Sequence, residues 1–246
     1  MKNKIKIATV QMKVLSAKTN LPKILNYIEL AGQTKVDIVG FPECSLNPST
    51  KKPSSKKDLA VIQDACFKNA VHVIINGYFC ENNKVFNRTY VIDDNGKILD
   101  SYDKIYLWTT ELGKVDRGDQ VKVVETKFGK IGLCTCWDIF FPEMIGELKR
   151  QGAEIIFCLS YWNDNIKKES CFLESAPVTY AYLNMIYFVY CNALLKGKTS
   201  ISQVASPWGE LSKIKHKEGM IAANIYNERL KRFKKHFENV LWGRKI

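Results

Sequence analysis

The chain has 246 residues, enough to bury one large core, and its apolar segments are spread evenly, with no linker at which to divide it into domains. Its formal charge of +12 comes from 37 basic against 25 acidic residues, yet only six of the basic residues are arginines, and neither of the two densest lysine clusters, Lys51 to Lys57 and Lys231 to Lys235, shows arginines interleaved with base-stacking aromatics, which argues against a specific nucleic-acid module. Eight cysteines lie mostly inside apolar patterns, no apolar leader follows Met1, and the longest apolar stretch, residues 180–195, is broken by Asn184 and Asn192; secretion, a disulfide scaffold and a membrane span are all disfavoured, and a reducing cytoplasm is the expected setting.

Strand-like runs are predicted at residues 5–10 and 38–41, with a helical pattern over 21–31 between them. The second run stops at Pro42-Glu43-Cys44, so Glu43 emerges where a strand gives way to a loop. A carboxylate there can accept a thiol proton and later a proton from water. Taken singly, most such glutamates are surface or capping acids. A helix over 58–69 leads to strands at 71–78, 86–92 and 98–102. Asp93-Asp-Asn-Gly96 is a hairpin turn, because Asn-Gly readily takes positive φ, so the sheet is mixed. Lys104 follows in an aromatic, half-buried setting, Tyr102 to Trp108, where a lone ammonium needs an anionic partner such as a developing oxyanion. Glu111 comes seven residues later, before the turn-rich stretch 113–118.

Further strands are predicted at 121–125 and 131–134, and Pro142-Glu143 opens a helix over 142–151. Cys136 falls in the elbow between strand and helix. Backbone N–H groups in such an elbow favour thiolate and can bind an oxyanion, although a cysteine judged alone is more often buried and structural. Strands at 155–159, 187–192, 203–205 and 220–225, a helix over 169–185 and an amphipathic helix at 230–242 complete the pattern. Alternating strands and helices with an internal hairpin point to an α/β fold, a four-layer α-β-β-α sandwich with two mixed stacked sheets. No internal repeat or low-complexity segment is visible. Three histidines and a lone Cys134-x-Cys136 pair offer no zinc-binding spacing, so no metal site is expected.

A glutamate, a lysine and a cysteine, each at a strand end and in that chain order, resemble the nitrilase superfamily of carbon–nitrogen hydrolases, in its amidase-like branch. The resemblance rests on Phe41-Pro-Glu43, on Tyr102-Asp-Lys104 through Leu107 to Glu111, and on Cys136-Trp-Asp138 with Phe141-Pro-Glu143. Supporting matches at Ala8 to Gln11, Asn87, Asp93 to Gly96, Arg117-Gly118-Asp119, Phe188 to Asn192, Ser206 to Gly209 and Glu218 to Ile225 extend it over nearly the whole chain, read as one domain, 1–246. It implies Glu43, Lys104 and Cys136 as catalytic triad and Glu111 as a second glutamate that positions the substrate amide and the lysine. It further implies cofactor-independent hydrolysis of a small amide through a cysteine thioester, and a homodimer or larger assembly.

Several positions depart from the family pattern. Phe140 stands where many small-amide hydrolases carry arginine, which removes a carboxylate clamp. Tyr180-Ala-Tyr-Leu-Asn184 replaces an Arg-Ala-x-Glu-Asn segment, so the anchoring of that helix must differ, and Ser206-Pro207 replaces Asp-Pro. The loop after Leu159 is read as the substrate wall, with Tyr161 and Trp162 packing on an apolar or planar substrate, Asn163 hydrogen-bonding it, and Trp137 supplying a backbone N–H. N-carbamoyl compounds or nitriles suit the same residues, and an idle scaffold for partner binding is the competing reading of another class.

Overall fold

The computed structural model describes residues 3–162 and 170–241. The first half runs β1 (Lys4–Gln11), α1 (Ala17–Gln33), β2 (Ile38–Gly40), α2 (Lys56–Asn69), β3 (His72–Glu81), β4 (Lys84–Ile92) and β5 (Ile98–Asp103). The second runs β6 (Lys122–Thr126), β7 (Gly129–Thr135), a 3-10 helix at Cys136–Phe140, α3 (Pro142–Arg150), β8 (Ile155–Ser160), α4 (Ser170–Asn184), β9 (Tyr187–Asn192), β10 (Ile201–Ser206) and β11 (Gly209–Lys215). β12 (Gly219–Tyr226) and α5 (Asn227–Leu241) close the chain.

The strands form two six-stranded mixed sheets, ordered β12-β1-β2-β3-β4-β5 and β11-β10-β9-β8-β7-β6. Period-2 alternation decides which face each strand buries. On β1, Ile5 and Ile7 join the core shared with the second sheet, whereas Ala8 and Val10 pack with Ile24 and Ile28 of α1 and Ile62 of α2. On β3, Ile74 faces the shared core, and Val73 and Ile75 face the helices. Leu148 of α3 and Leu173, Ala176 and Ala181 of α4 cover the second sheet. The result is the expected four-layer α-β-β-α sandwich.

Read from β12 to β5 and from β6 to β11, both sheets follow the same succession of antiparallel, parallel, parallel, antiparallel and antiparallel pairs. This repeat of architecture leaves no mark in the sequence, because strand direction is a property of the backbone path. The parallel strands of both sheets deliver the loops after β2, β7 and β8 to one end of the sandwich.

The hairpin at Asp93 to Gly96 joins β4 to β5 antiparallel, with Gly96 at φ 76°. Helices α1 and α2 start earlier than predicted, because Ser16 with Thr19 and Ser55 with Asp58 form capping boxes upstream of the apolar periodicity. β11 was not expected at all. It is an edge strand of sequence Gly209-Glu-Leu-Ser-Lys-Ile-Lys215 in which Ile214 alone is buried, so it has no apolar run to betray it.

Candidate active site

Glu43, Lys104 with Glu111, and Cys136 come from three separate connections and meet in one cavity of about 410 Å³. Trp108, Trp137, Tyr161 and Trp162 line the same cavity, together with Cys44, Pro48, Tyr78 and Thr110. Asn163 lies outside the described residues.

Lys104 is buried more deeply than the half-buried aromatic setting expected from the sequence, at 1% exposure, with Glu43 at 3% and Glu111 at 4%. Charges at such depth persist only when paired and hydrogen-bonded. The Lys104 Nζ donates to Glu43 Oε1 at 2.9 Å and to Glu111 Oε2 at 2.7 Å. Asn87 Nδ2 bridges the two acids, 2.7 Å from Glu43 Oε1 and 2.7 Å from Glu111 Oε1. Tyr78 Oη at 3.2 Å and the Trp108 N–H at 2.8 Å complete the Glu111 shell. The Tyr161 N–H donates to Glu43 Oε2 at 2.8 Å. Burial alone lowers the Lys104 ammonium, but Glu43, Cys136 and Glu111 outweigh it and raise its pKa well above the ordinary value. Burial likewise pushes Glu111 up, and the charge and hydrogen bond of Lys104 overcome it, leaving Glu111 lowered. The cluster is therefore one ammonium clamped between two carboxylates.

The backbone around Lys104 fixes this placement. Its N–H donates to the Asn87 carbonyl and its own carbonyl accepts from Gly118 N–H, each at 3.0 Å. A Cβ at Gly118 would sit 2.0 Å from the Asp103 carbonyl oxygen, so only glycine allows the approach. Arg88 holds Asp103 with a two-pronged pair at 2.6 and 2.8 Å.

Cys136 directly follows β7 and begins the 3-10 helix, with φ at 50°. A left-handed conformation costs a residue with a Cβ roughly 1–2 kcal/mol, which the surroundings must supply. Asp138 does much of the holding. Its carboxylate accepts from Thr135 N–H and Tyr102 Oη, both at 2.7 Å, and from Tyr106 N–H at 2.9 Å, tying the elbow to the strand end that carries Lys104. Burial raises Asp138 to a pKa of about 6 despite these bonds. The elbow does not produce a resting thiolate. Burial and then Glu43 push the Cys136 thiol well above its ordinary value, against Lys104, the Ser160 hydroxyl and the Tyr161 backbone.

A thiol poised on an elbow, facing one lysine held by two glutamates, is the pattern that the sequence resemblance implies. The carbon-nitrogen hydrolase family profile matches residues 6–235. The chain belongs to that family. A probable nitrilase of Schizosaccharomyces pombe is 26% identical over 257 residues, covering 95% of this chain and 93% of its own. Omega-amidase NIT2 of Xenopus tropicalis is 26% identical over 250 residues, 90% of this chain and 88% of its own. The crystal structure of Saccharomyces cerevisiae Nit3, a member of branch 10 of the nitrilase superfamily, superposes with a TM-score of 0.85 at 22% identity, covering 100% of this chain and 97% of that one.

The far wall of this carbon–nitrogen hydrolase is aromatic. Phe140 lies between Trp162, centroids 5.3 Å apart at 16°, and Phe172, 4.2 Å apart at 19°, with Trp137 tilted against it at 4.3 Å. Trp108 meets Trp137 edge-on at 4.6 Å. The place of the missing arginine is thus filled by a ring inside a stack. Tyr180, where the family pattern has arginine, donates its hydroxyl to the Ile139 carbonyl at 2.9 Å, so α4 is anchored on the elbow by a neutral bond.

In the sequence Asn87 and Asp138 register only as points of resemblance, Tyr102 only as a neighbour of Lys104 and a point of resemblance, and Asn76 and Tyr78 not at all. Asn76 orders the loop after β2, accepting from the Cys44 N–H at 2.7 Å and donating to Asn87 Oδ1 at 2.8 Å. The signal was available. Asn76 and Asn87 interrupt apolar strands on the face that Ile74 and Val91 give to the core, and a buried amide there demands partners. Among the described residues, no group of three or more His, Cys, Asp or Glu is arranged to hold a metal ion.

Proposed function

We propose that this protein hydrolyses the C–N bond of a small linear amide, with Cys136 as nucleophile, Glu43 as proton acceptor and donor, Lys104 as oxyanion partner and Glu111 as the group that positions Lys104. The observation that carries the reading is the Lys104 ammonium, 2.9 and 2.7 Å from two carboxylates in the cavity that holds Cys136. An ammonium has three protons to donate. Two are committed to Glu43 and Glu111, which leaves the third for the substrate carbonyl oxygen.

As the Cys136 sulfur bonds to the amide carbon, its proton passes to Glu43, because the resting thiol is protonated. Glu43 Oε2 accepts one hydrogen bond, from Tyr161, and so keeps a lone pair for that proton. The tetrahedral oxyanion is met by Lys104 and by the N–H of Trp137, at the start of the 3-10 helix where no intrahelical acceptor exists. Collapse breaks the C–N bond, Glu43 returns its proton to the nitrogen, and ammonia leaves. Glu43 then takes a proton from water as it attacks the thioester, and the carboxylic acid departs with Cys136 protonated again.

The reading extends to the whole chain as one domain working in the cytoplasm as a homodimer or larger assembly. All eight cysteines are free, as a reducing compartment requires, and α4 presents Leu183 at 66% exposure, which association would cover. No helix among the described residues is long and apolar enough to cross a membrane. The test is ammonia release from a panel of neutral amides. Cys136→Ala is expected to lower kcat/KM by on the order of 10⁴-fold or more. Ammonia release that survives Cys136→Ala would contradict the nucleophile.

A further inference from the structure

Among its described lining residues, the cavity offers no uncommitted partner for a charged substrate of either sign. Lys104 is the one cation among its described lining residues, and its donors are assigned to Glu43, Glu111 and the reacting oxygen. Among these described residues, a second carboxylate on the substrate would meet two glutamates and no uncommitted cation. A substrate ammonium fares no better. Glu43 Oε1 and both oxygens of Glu111 each accept two hydrogen bonds. The remaining lone pair, on Glu43 Oε2, is needed for the Cys136 proton.

Beyond Cys44, Pro48 and Thr110, the rest of the described lining is ring surface. Trp108, Trp137, Tyr161 and Trp162 face the cavity, and Trp162 is fixed from behind because Phe140 stacks on it and Phe172 stacks on Phe140. A wall locked by parallel rings keeps its shape when the cavity fills, so it selects for flatness as well as for apolarity. A volume of about 410 Å³ accommodates a single-ring amide and lies within the ordinary range for small-molecule sites.

From this arrangement we infer that the acyl part of the substrate is uncharged and planar, an arylalkyl or similarly flat amide, and that amides bearing a second carboxylate are rejected. This rests on the amidase reading above and deepens it. Two matched pairs test it in the wild-type protein by ammonia release. The first compares 2-(4-nitrophenyl)acetamide with 2-(4-carboxyphenyl)acetamide, which share shape and differ in charge. Like-charge contact costs several kcal/mol, so kcat/KM for the nitro compound is expected to exceed that for the acid by about 100-fold or more. The second compares phenylacetamide with cyclohexylacetamide, whose reacting carbonyls are equally insulated from the ring. The flat ring is expected to lead by about 3–10-fold, the worth of one aromatic pair.

An acid turned over as fast as its nitro partner overturns the charge selection, and a cyclohexyl compound turned over as fast as the phenyl one overturns the planarity. Both results leave the amidase reading standing. Silence toward every amide, with Cys136 unreactive, overturns the amidase reading and this inference together.

Discussion

The two walls of the cavity are built on opposite principles. On one side Glu43, Lys104, Glu111 and Asn87 form a closed set of charge-assisted hydrogen bonds in which nearly every donor and acceptor is spoken for. On the other, Trp137, Phe140, Trp162 and Phe172 are held by ring stacking, which fixes distance and tilt but assigns no partner atom by atom. A directional network suits a site where protons and an oxyanion must meet fixed atoms. Stacked rings suit a surface that needs only the correct shape. Mutations should therefore act steeply and all at once on the first wall, and gradually on the second.

Among substitutions in the two walls, the largest expected effect comes from Lys104→Met. It removes the proposed oxyanion donor, for a loss of about 10²–10³-fold in kcat. It also leaves Glu43 and Glu111 as unpaired buried neighbours, and breaking a buried pair in this way costs about 3–5 kcal/mol. Ammonia-release kinetics and thermal melts on the same preparation check both. A variant that melts like wild type would mean that the two carboxylates do not depend on the lysine, and the contrast between the walls would lose its physical basis.

Asp138 gives an intermediate effect through pH. Its folded pKa of about 6 lies above the ordinary value of 3.8, so between those values the folded protein keeps a proton that the unfolded chain has lost. The stability contributed by this group is therefore full below about pH 4 and falls as pH rises to about 6, beyond which it is constant. Activity runs the other way. The ionised form accepts the bonds from Thr135, Tyr102 and Tyr106 that brace the elbow, so kcat/KM is expected to drop below pH 6. Melting temperatures of wild type minus Asp138→Asn should decline from pH 4 to 6 and then flatten. A difference that stays constant across that window would remove Asp138 from the account.

Phe140→Leu should be the mildest. Each lost stacked pair is worth about 1 kcal/mol, and the elbow backbone is untouched. KM for an aromatic amide is expected to rise a few-fold with kcat unchanged, and a collapse of kcat would show that the stack reaches into the chemistry.

The same contrast explains what could be read from the sequence. Glu43, Lys104 and Cys136 stood out because charged or nucleophilic residues at strand ends are conspicuous against apolar runs, and their order carried the family resemblance. The layered fold was equally legible, since period-2 and helical patterns record which faces are buried. Asn87 and Asn76 were harder, because an amide inside a strand looks like a break in the pattern until its partners are seen. Phe140 was read only as a missing arginine. That it sits within a stack depends on Phe172, more than thirty residues away on α4, and no local pattern links the two. The polar edge strand β11 and the matching strand directions of the two sheets leave no periodic signal at all.

The central claim is that geometry, and not exposure, makes Cys136 the reactive thiol. Cys136 is buried with its pKa raised, whereas Cys80 and Cys171 are exposed, so accessibility alone ranks it behind both. The direct test is a time course with iodoacetamide, an alkylating amide small enough for the cavity, followed by mass-spectrometric mapping of every cysteine-containing peptide. The expected result is that Cys136 is modified well before Cys80 or Cys171, and that Lys104→Met abolishes this lead. Label accumulating on Cys80 and Cys171 while Cys136 stays free would contradict it.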